Sequence, residues 1–311
     1  MHLHASSVDE QGPPPLSICA PLDPIPAWDG KTPWAEALVD YFKHPRCKDP
    51  IVSPTEQAEE QRRTLAQMAR YNVIGVVSGG PLERLRQWRA AAPGRILFGI
   101  APDISAPSAA ALTALVAPLK ATGEATVIGE IGAQYDGVAP DDARLEGLWQ
   151  TAEALDLPVG LHVGPGPPGT PYIPGMGYRA RMSNPLALEE VLVKHPRLRL
   201  YVMHAGYPML DAMLALMYAH PQVYVDTGVI AWTQPRAAFY RYLRALVEAG
   251  FGERILFGSD QMIWPEAIGR SIGAIKEAPF LTKAQKRAIL YDNAARFLRL
   301  DAATQARHRA M

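Results

Sequence analysis

Residues 198–227, LRLYVMHAGYPMLDAMLALMYAHPQVYVDT, carry the pattern from which the fold is read. Leu198 to His204 is a short apolar run, and Val223 to Thr227 is another. Between them, Pro208 to Ala219 has helical length and opens on proline, whose fixed φ suits a first helical turn. The link Pro-Gln-Val-Tyr-Val back into the second run is short, as helix-to-strand connections usually are. A strand, a helix and a second strand in this order describe one unit of a parallel sheet buried on both faces.

The unit recurs in both directions. Further candidate strands are Val73 to Ser78, Arg95 to Ile100, Thr126 to Ile131, Pro158 to Val163 and Arg254 to Ser259, with a nearly absent one before His4. Helices are expected at Thr55 to Tyr71, Pro81 to Ala92, Ser105 to Thr122, Asp141 to Leu155, Pro185 to His195, Pro235 to Ala249 and Pro265 to Ala278. Eight strand-then-helix units argue for a single (β/α)8 TIM-like barrel over residues 1–300, of the α/β class. A doubly wound open sheet is the alternative, but no Gly-x-Gly-x-x-Gly follows a first strand. Arg95-Ile-Leu-Phe-Gly returns as Arg254-Ile-Leu-Phe-Gly, an echo that similar packing demands on two barrel strands explain. Thr282 to Leu300 reads as two closing helices, and residues 301–311 as a frayed tail.

The 311 residues fit one large barrel, and 31 basic residues balance 31 acidic ones. Zero net charge gives no general pull toward nucleic acid or an anionic membrane, and no nucleic-acid partner is expected. No stretch approaches the roughly 20 apolar residues of a membrane span. Proline is in excess, with 29 residues. Ten lie from Pro13 to Pro54 and seven from Pro158 to Pro185, which marks long, restricted loops after the first and fifth strands. Trp28, Trp34, Tyr41, Tyr172 and Tyr178 among them argue against low-complexity disorder. Cys19 and Cys47 share the first of these loops; they read either as two free thiols or as a disulfide clamping it.

Metal-competent side chains gather at strand ends. His2 and His4 are spaced i, i+2, which puts both imidazoles on one face of a strand. Glu130, His162, His204 and Asp260 each stand at the carboxyl end of a later strand, the active face of a barrel. A buried charge without a partner is costly, and a divalent cation would supply one. Any one of these residues alone is unremarkable; the six in order on five strands are specific. His44, His195 and His220 each precede a proline, the latter two at helix ends, and read as structural; His308 lies in the tail.

His2-Leu3-His4, Gly129-Glu130-Ile131-Gly132, Leu161-His162, Met203-His204-Ala205-Gly206, Phe257-Gly258-Ser259-Asp260 and Asn293-Ala294-Ala295-Arg296-Phe297 together resemble the amidohydrolase superfamily, its amidohydrolase-related branch, over essentially the whole chain. The resemblance implies one or two divalent metals, zinc first, and a metal-activated water attacking an ester, amide or lactone of a small molecule. It implies His2, His4, Glu130, His162, His204 and Asp260 as ligands. Asp260 would also carry the water's proton to the leaving group. His204 would ligate a second ion or, with one ion, donate to the developing oxyanion. Glu130 stands where some relatives use a carboxylated lysine, and would bridge two ions or hold the second. Members of the family have a full strand before the His-x-His pair, whereas only Met1 precedes His2. The expectation is a trimmed or processed chain, or a short first strand. Relatives with export signals and the abrupt start favour a periplasmic or secreted protein with a Cys19–Cys47 bridge.

The loops Gly12 to Ser53 and Gly164 to Asn184 should set the substrate, with Trp28, Trp34, Tyr172, Tyr178, Arg179 and Arg181; Gln261 to Trp264 would line the same pocket. Aromatic walls with arginines suit an apolar substrate bearing a carboxylate, and the same residues could instead pack the loops. The rivals are a non-oxidative decarboxylase on the same scaffold, a metal-dependent deoxyribonuclease and a non-catalytic metal-stabilised binding protein. Homo-oligomer formation stays open.

Overall fold

The computed structural model describes residues 2–103 and 108–311. The apolar runs form strands: β1 (His2–His4), β2 (Ser17–Ile18), β3 (Ile51–Val52), β4 (Gly75–Ser78), β5 (Ile96–Ile100), β6 (Val127–Ile131), β7 (Val159–His162), β8 (Leu200–Met203), β9 (Val223–Asp226) and β10 (Ile255–Leu256). Eight of them make one sheet in the order β1-β4-β5-β6-β7-β8-β9-β10, and every neighbouring pair is parallel. The N–H groups of Ser259 and Asp260 donate to the His2 carbonyl (3.2 and 3.0 Å), so the chain leaving β10 meets β1 and closes the barrel.

Strand residues alternate between two cores, as a period of two requires. Leu3, Val77, Phe98, Ile128, Leu161, Val202 and Val225 face outward against helix residues such as Met68, Leu85, Leu112, Leu192, Met213 and Ile272. Val76, Val127, Tyr201, Met203 and Leu256 face inward with Phe297 and fill the barrel. The echoed arginines share a task. Arg95 Nη1 donates to the Val73 carbonyl just before β4, and Arg254 Nη1 to the Val223 carbonyl at the start of β9. Each guanidinium thus ties one strand to the start of its predecessor.

The helices lie where the pattern puts them, with local differences. The start expected at Ser105 falls outside the described residues; the helix runs Ala109–Ala121, and Ser108 Oγ caps it by accepting from the Ala111 N–H at 3.2 Å. The closing segment is two α-helical stretches, Lys283–Arg287 and Asn293–Phe297, joined by a π-helical turn. Residues after Asp301, expected as a frayed tail, have secondary structure. They form the helix Ala302–Ala310, capped by Asp301 and docked by His308 Nδ1, 3.1 Å from the Tyr291 hydroxyl. Among the described residues no helix is long and apolar enough to cross a membrane.

The long first loop is more structured than its prolines suggest. It contains the antiparallel pair β2–β3 and the helix Trp34–Lys43, and Cys19 and Cys47 are joined in a disulfide across it. Leu16, Ile18, Trp34, Leu38, Phe42 and Ile51 pack on Trp232, Ile263 and Trp264. This second core sits on the carboxyl end of the barrel, and that position gives the loop its order.

Candidate metal centre

Four features of the strands turn six side chains into one space. On β1, Leu3 faces the outer core, so His2 and His4 face inward. On β7, Leu161 faces outward and His162 inward. On β6 the pairing with β7 slips between Ile128 and Ile131, and such an irregularity re-aims Glu130. After β8 and β10 the backbone turns left-handed, at His204 (φ 60°) and Asp260 (φ 48°). Non-glycine residues adopt this conformation at a cost and cluster where function needs a particular aim.

The result is two adjoining groups of donors that share one carboxylate. Glu130 Oε2 lies 2.7 Å from His2 Nε2 and 3.0 Å from His4 Nε2, and His4 Nε2 lies 2.9 Å from Asp260 Oδ1. Glu130 Oε1 lies 2.5 Å from His162 Nδ1 and 3.4 Å from His204 Nε2. His2 and His4 face each other through Nε2 at 3.2 Å, and His204 Nε2 faces His162 Nδ1 at 3.0 Å. Two neutral imidazoles whose lone pairs meet repel. Around a zinc at its usual 2.0–2.1 Å, ligand atoms at the tetrahedral angle would sit about 3.3 Å apart, which is close to these separations.

Tautomers support the same reading. His2 Nδ1 lies 2.9 Å from Asp226 Oδ2, and His204 Nδ1 lies 3.0 Å from the Gly228 carbonyl. In the neutral imidazole an N–H donated at Nδ1 leaves Nε2 bare once its proton is given up, which is how outer-shell partners prepare histidine ligands. Asp226 was not singled out from the sequence, although it ends β9 as the other residues end theirs. It is fully buried and also accepts from the backbone N–H groups of His204 and Gly228, both at 2.9 Å. A Cβ at Gly228 would come within 2.7 Å of His2 Nδ1, and one at Gly79 (φ +78°) within 2.5 Å of His4 Nδ1; both positions need glycine for this approach.

The electrostatics follow from crowding. Burial alone would push His2 and His4 down. Glu130, Asp226 and Asp260 instead hold His2 well above the usual histidine value, and Asp260 and Glu130 raise His4 to about 10. Burial would raise Glu130 and Asp260. His2 and His162 hold Glu130 well below the carboxylate range, and His2 and His4 lower Asp260. Burial and the nearby His204 push His162 down. Ionised carboxylates thus surround His2 and His4, which keep protons where a cation could sit.

The expected substrate residues divide. Trp28 and Tyr172 are exposed with rings 4.9 Å apart, and Arg179 and Arg181 are exposed on the loop after β7. Tyr178 is buried, its hydroxyl 3.3 Å from Ser183 Oγ, and Trp34 is buried with Nε1 donating to the Pro168 carbonyl at 2.6 Å. The expectation that Ile263 and Trp264 line the pocket is corrected: both are packed in the second core, Trp264 Nε1 donating to the Leu16 carbonyl at 3.1 Å. Gln261 is also buried, turned onto His4. Tyr135, missed in the sequence because it stands past the end of β6, lays its ring 4.7 Å from that of His162. His44, His195 and His220 lie beside Asp40, Glu153 and Glu189, outside these groups.

A sequence model of the amidohydrolase family matches residues 1–300. No protein of curated function matches the chain. Among solved structures, a probable 2-pyrone-4,6-dicarboxylic acid hydrolase from Acinetobacter baumannii is 14% identical, with a TM-score of 0.59 over 83% of this chain and 94% of that one. A 5-carboxyvanillate decarboxylase from Novosphingobium aromaticivorans, solved with manganese, is 12% identical, with a TM-score of 0.59 over 86% of this chain and 88% of that one. The IDCase of Metarhizium anisopliae is 19% identical, with a TM-score of 0.59 over 96% of each chain. At these identities the likeness speaks for the barrel alone.

Proposed function

Because the chain belongs to the amidohydrolase family, we propose that it is a metal-dependent hydrolase that uses a metal-activated water to cleave an ester, lactone or amide bond of a small molecule. The observation that carries this reading is Glu130. Its two oxygens face two separate donor groups, His2, His4 and Asp260 on one side and His162 and His204 on the other. We expect both groups to be filled, and zinc to be the first ion, since imidazoles outnumber carboxylates. Divalent ions bound there would lower the pKa of water and polarise a carbonyl.

The chain's own groups suit the remaining work. Asp260 is ionised and slightly open to the barrel mouth, so it can take a proton from the attacking water and return it to the leaving group. His204 commits Nδ1 to the Gly228 carbonyl, which favours a ligand role through Nε2 over donation to an oxyanion. The exposed Trp28, Tyr172, Arg179 and Arg181 favour a largely apolar substrate with a carboxylate. Proteins of this fold are named as hydrolase and as decarboxylase, so the test must separate the two. The metal-loaded protein is assayed against lactones, aryl esters, amides and carboxylated aromatic acids. Cleavage that stops on chelation and returns with zinc or manganese is expected. Carbon dioxide release without cleavage would replace hydrolysis by decarboxylation, and no turnover by the loaded protein would favour a binding role.

A further inference from the structure

The seam between β10 and β1 is short of backbone partners. On β1, alternate residues present their N–H and C=O groups to the same neighbour. Ala5 N–H donates to the Ser78 carbonyl of β4, so His2 and His4 face the β10 side. His2 meets the backbone there, accepting from Ser259 and Asp260. At the next rung the chain has turned away, with left-handed residues at Asp260 (φ 48°) and Met262 (φ 49°). The fully buried side chain of Gln261 takes that rung. Its Oε1 accepts from the His4 N–H at 3.1 Å, and its Nε2 donates to the His4 carbonyl at 2.5 Å. An amide side chain reproduces the donor and acceptor of the peptide that is missing.

The rung joins two ligands. Gln261 follows Asp260 directly, and Asp260 Oδ1 lies 2.9 Å from His4 Nε2. The Gln261 carbonyl also accepts from the Trp264 N–H at 2.7 Å, and Trp264 Nε1 holds the Leu16 carbonyl of the disulfide-bridged loop. We propose that Gln261 is a positioning residue that sets the spacing of His4 and Asp260, and so governs cation affinity at one of the two donor groups far more than at the other. This rests on the metal reading above. A 1 Å displacement of a ligand pair is large on the scale of a coordination bond, and outer-shell partners of ligands typically govern 10- to 100-fold in affinity. Among the described residues His162 and His204 make no hydrogen bond to Gln261; they meet the first group through the shared Glu130 and, more distantly, through Asp260 Oδ2, 3.9 Å from His204 Nδ1, so the effect on their ion should be much the smaller.

The test is chelator competition with Mn2+ as the probe, on the wild-type chain and on Gln261→Met, which keeps length and loses the amide. One ion should bind about 10- to 100-fold more weakly in the variant while a second stays near its wild-type affinity. A merely structural role would weaken both ions in step with lowered stability. If Gln261→Met does not fold, Gln261→Asn keeps a neutral amide that is one methylene too short to span the His4 N–H and carbonyl together, and should show the same selective loss in weaker form. Unchanged affinity for every bound ion in a folded variant overturns the proposal alone. A wild-type chain that takes up no Mn2+ overturns the metal reading with it.

Discussion

Asp226 shows how much of this site a single residue can carry without touching the reaction. It orients His2 through Nδ1 and fixes the left-handed turn at His204 through a backbone N–H. Asp226→Asn keeps the volume but weakens the acceptor. The variant should fold and lose about 10- to 100-fold in metal affinity, measured by chelator competition; full wild-type affinity would remove Asp226 from the account. Proton release gives a second handle. His4, raised to about 10, must give up its proton to bind an ion. Apparent affinity should therefore climb with pH up to that region, by about tenfold per unit for each proton displaced. A flat profile between pH 6 and 9 would contradict the protonated cluster. Glu60 is a separate case. It is buried in the helix Gln57–Arg70 with Thr64 Oγ1 donating to it at 3.0 Å, and burial raises it from 4.5 to about 8. The folded state then holds a proton that the unfolded state releases above about 4.5, so stability is fullest below that pH and erodes toward pH 8. Glu60→Gln should raise the unfolding free energy at pH 8, by on the order of a few kcal/mol, and lose this advantage below pH 5, read from denaturant unfolding at the two pH values.

At the scale of elements, the first long loop is where chemistry and packing part. Its disulfide closes a separation of 28 residues, and closing a loop of this size is worth about 3.6 kcal/mol in chain-entropy terms. Replacing Cys19 and Cys47 together by Ala should lower the melting temperature under oxidising conditions, with metal content kept; equal melting of variant and wild type would show that the second core alone orders the loop. Trp28→Ala should change substrate preference at constant metal content, since Trp28 is exposed beside Tyr172, whereas Trp34→Ala should cost stability, since Trp34 is packed. Sequence pattern could place both tryptophans in the loop, but not tell them apart, because the difference lies in contacts with Trp232, Ile263 and Trp264 that come from the far end of the chain. The same limit explains Trp264 and Gln261. Both follow a strand-end ligand, where an open pocket is the natural expectation, yet the second core covers the one and the short β1 seam claims the other. His2, His4, Glu130, His162, His204 and Asp260 were legible because parallel strands all aim their carboxyl ends at one face, whatever the loops do. The helix Ala302–Ala310 was not, since its docking depends on His308 meeting Tyr291 rather than on any apolar period of its own.

Across the whole molecule, the donor groups draw on β1, β6, β7 and the chain just after β8 and β10, so bound ions would cross-link the barrel from its first strand to its last. A ligand that binds only the folded state stabilises it by mass action, by about 2.7 kcal/mol at a hundredfold excess over its dissociation constant. Chelation should accordingly lower the melting temperature and leave the parallel sheet intact below it. The central claim is that Glu130 joins two cation sites. The most direct measurement is elemental analysis of the wild-type chain and of Glu130→Ala, both loaded with zinc and freed of excess ion. The account predicts two ions per chain in the wild type and at most one, weakly held, in the variant. Two ions retained in Glu130→Ala, or none in the wild type, would contradict it.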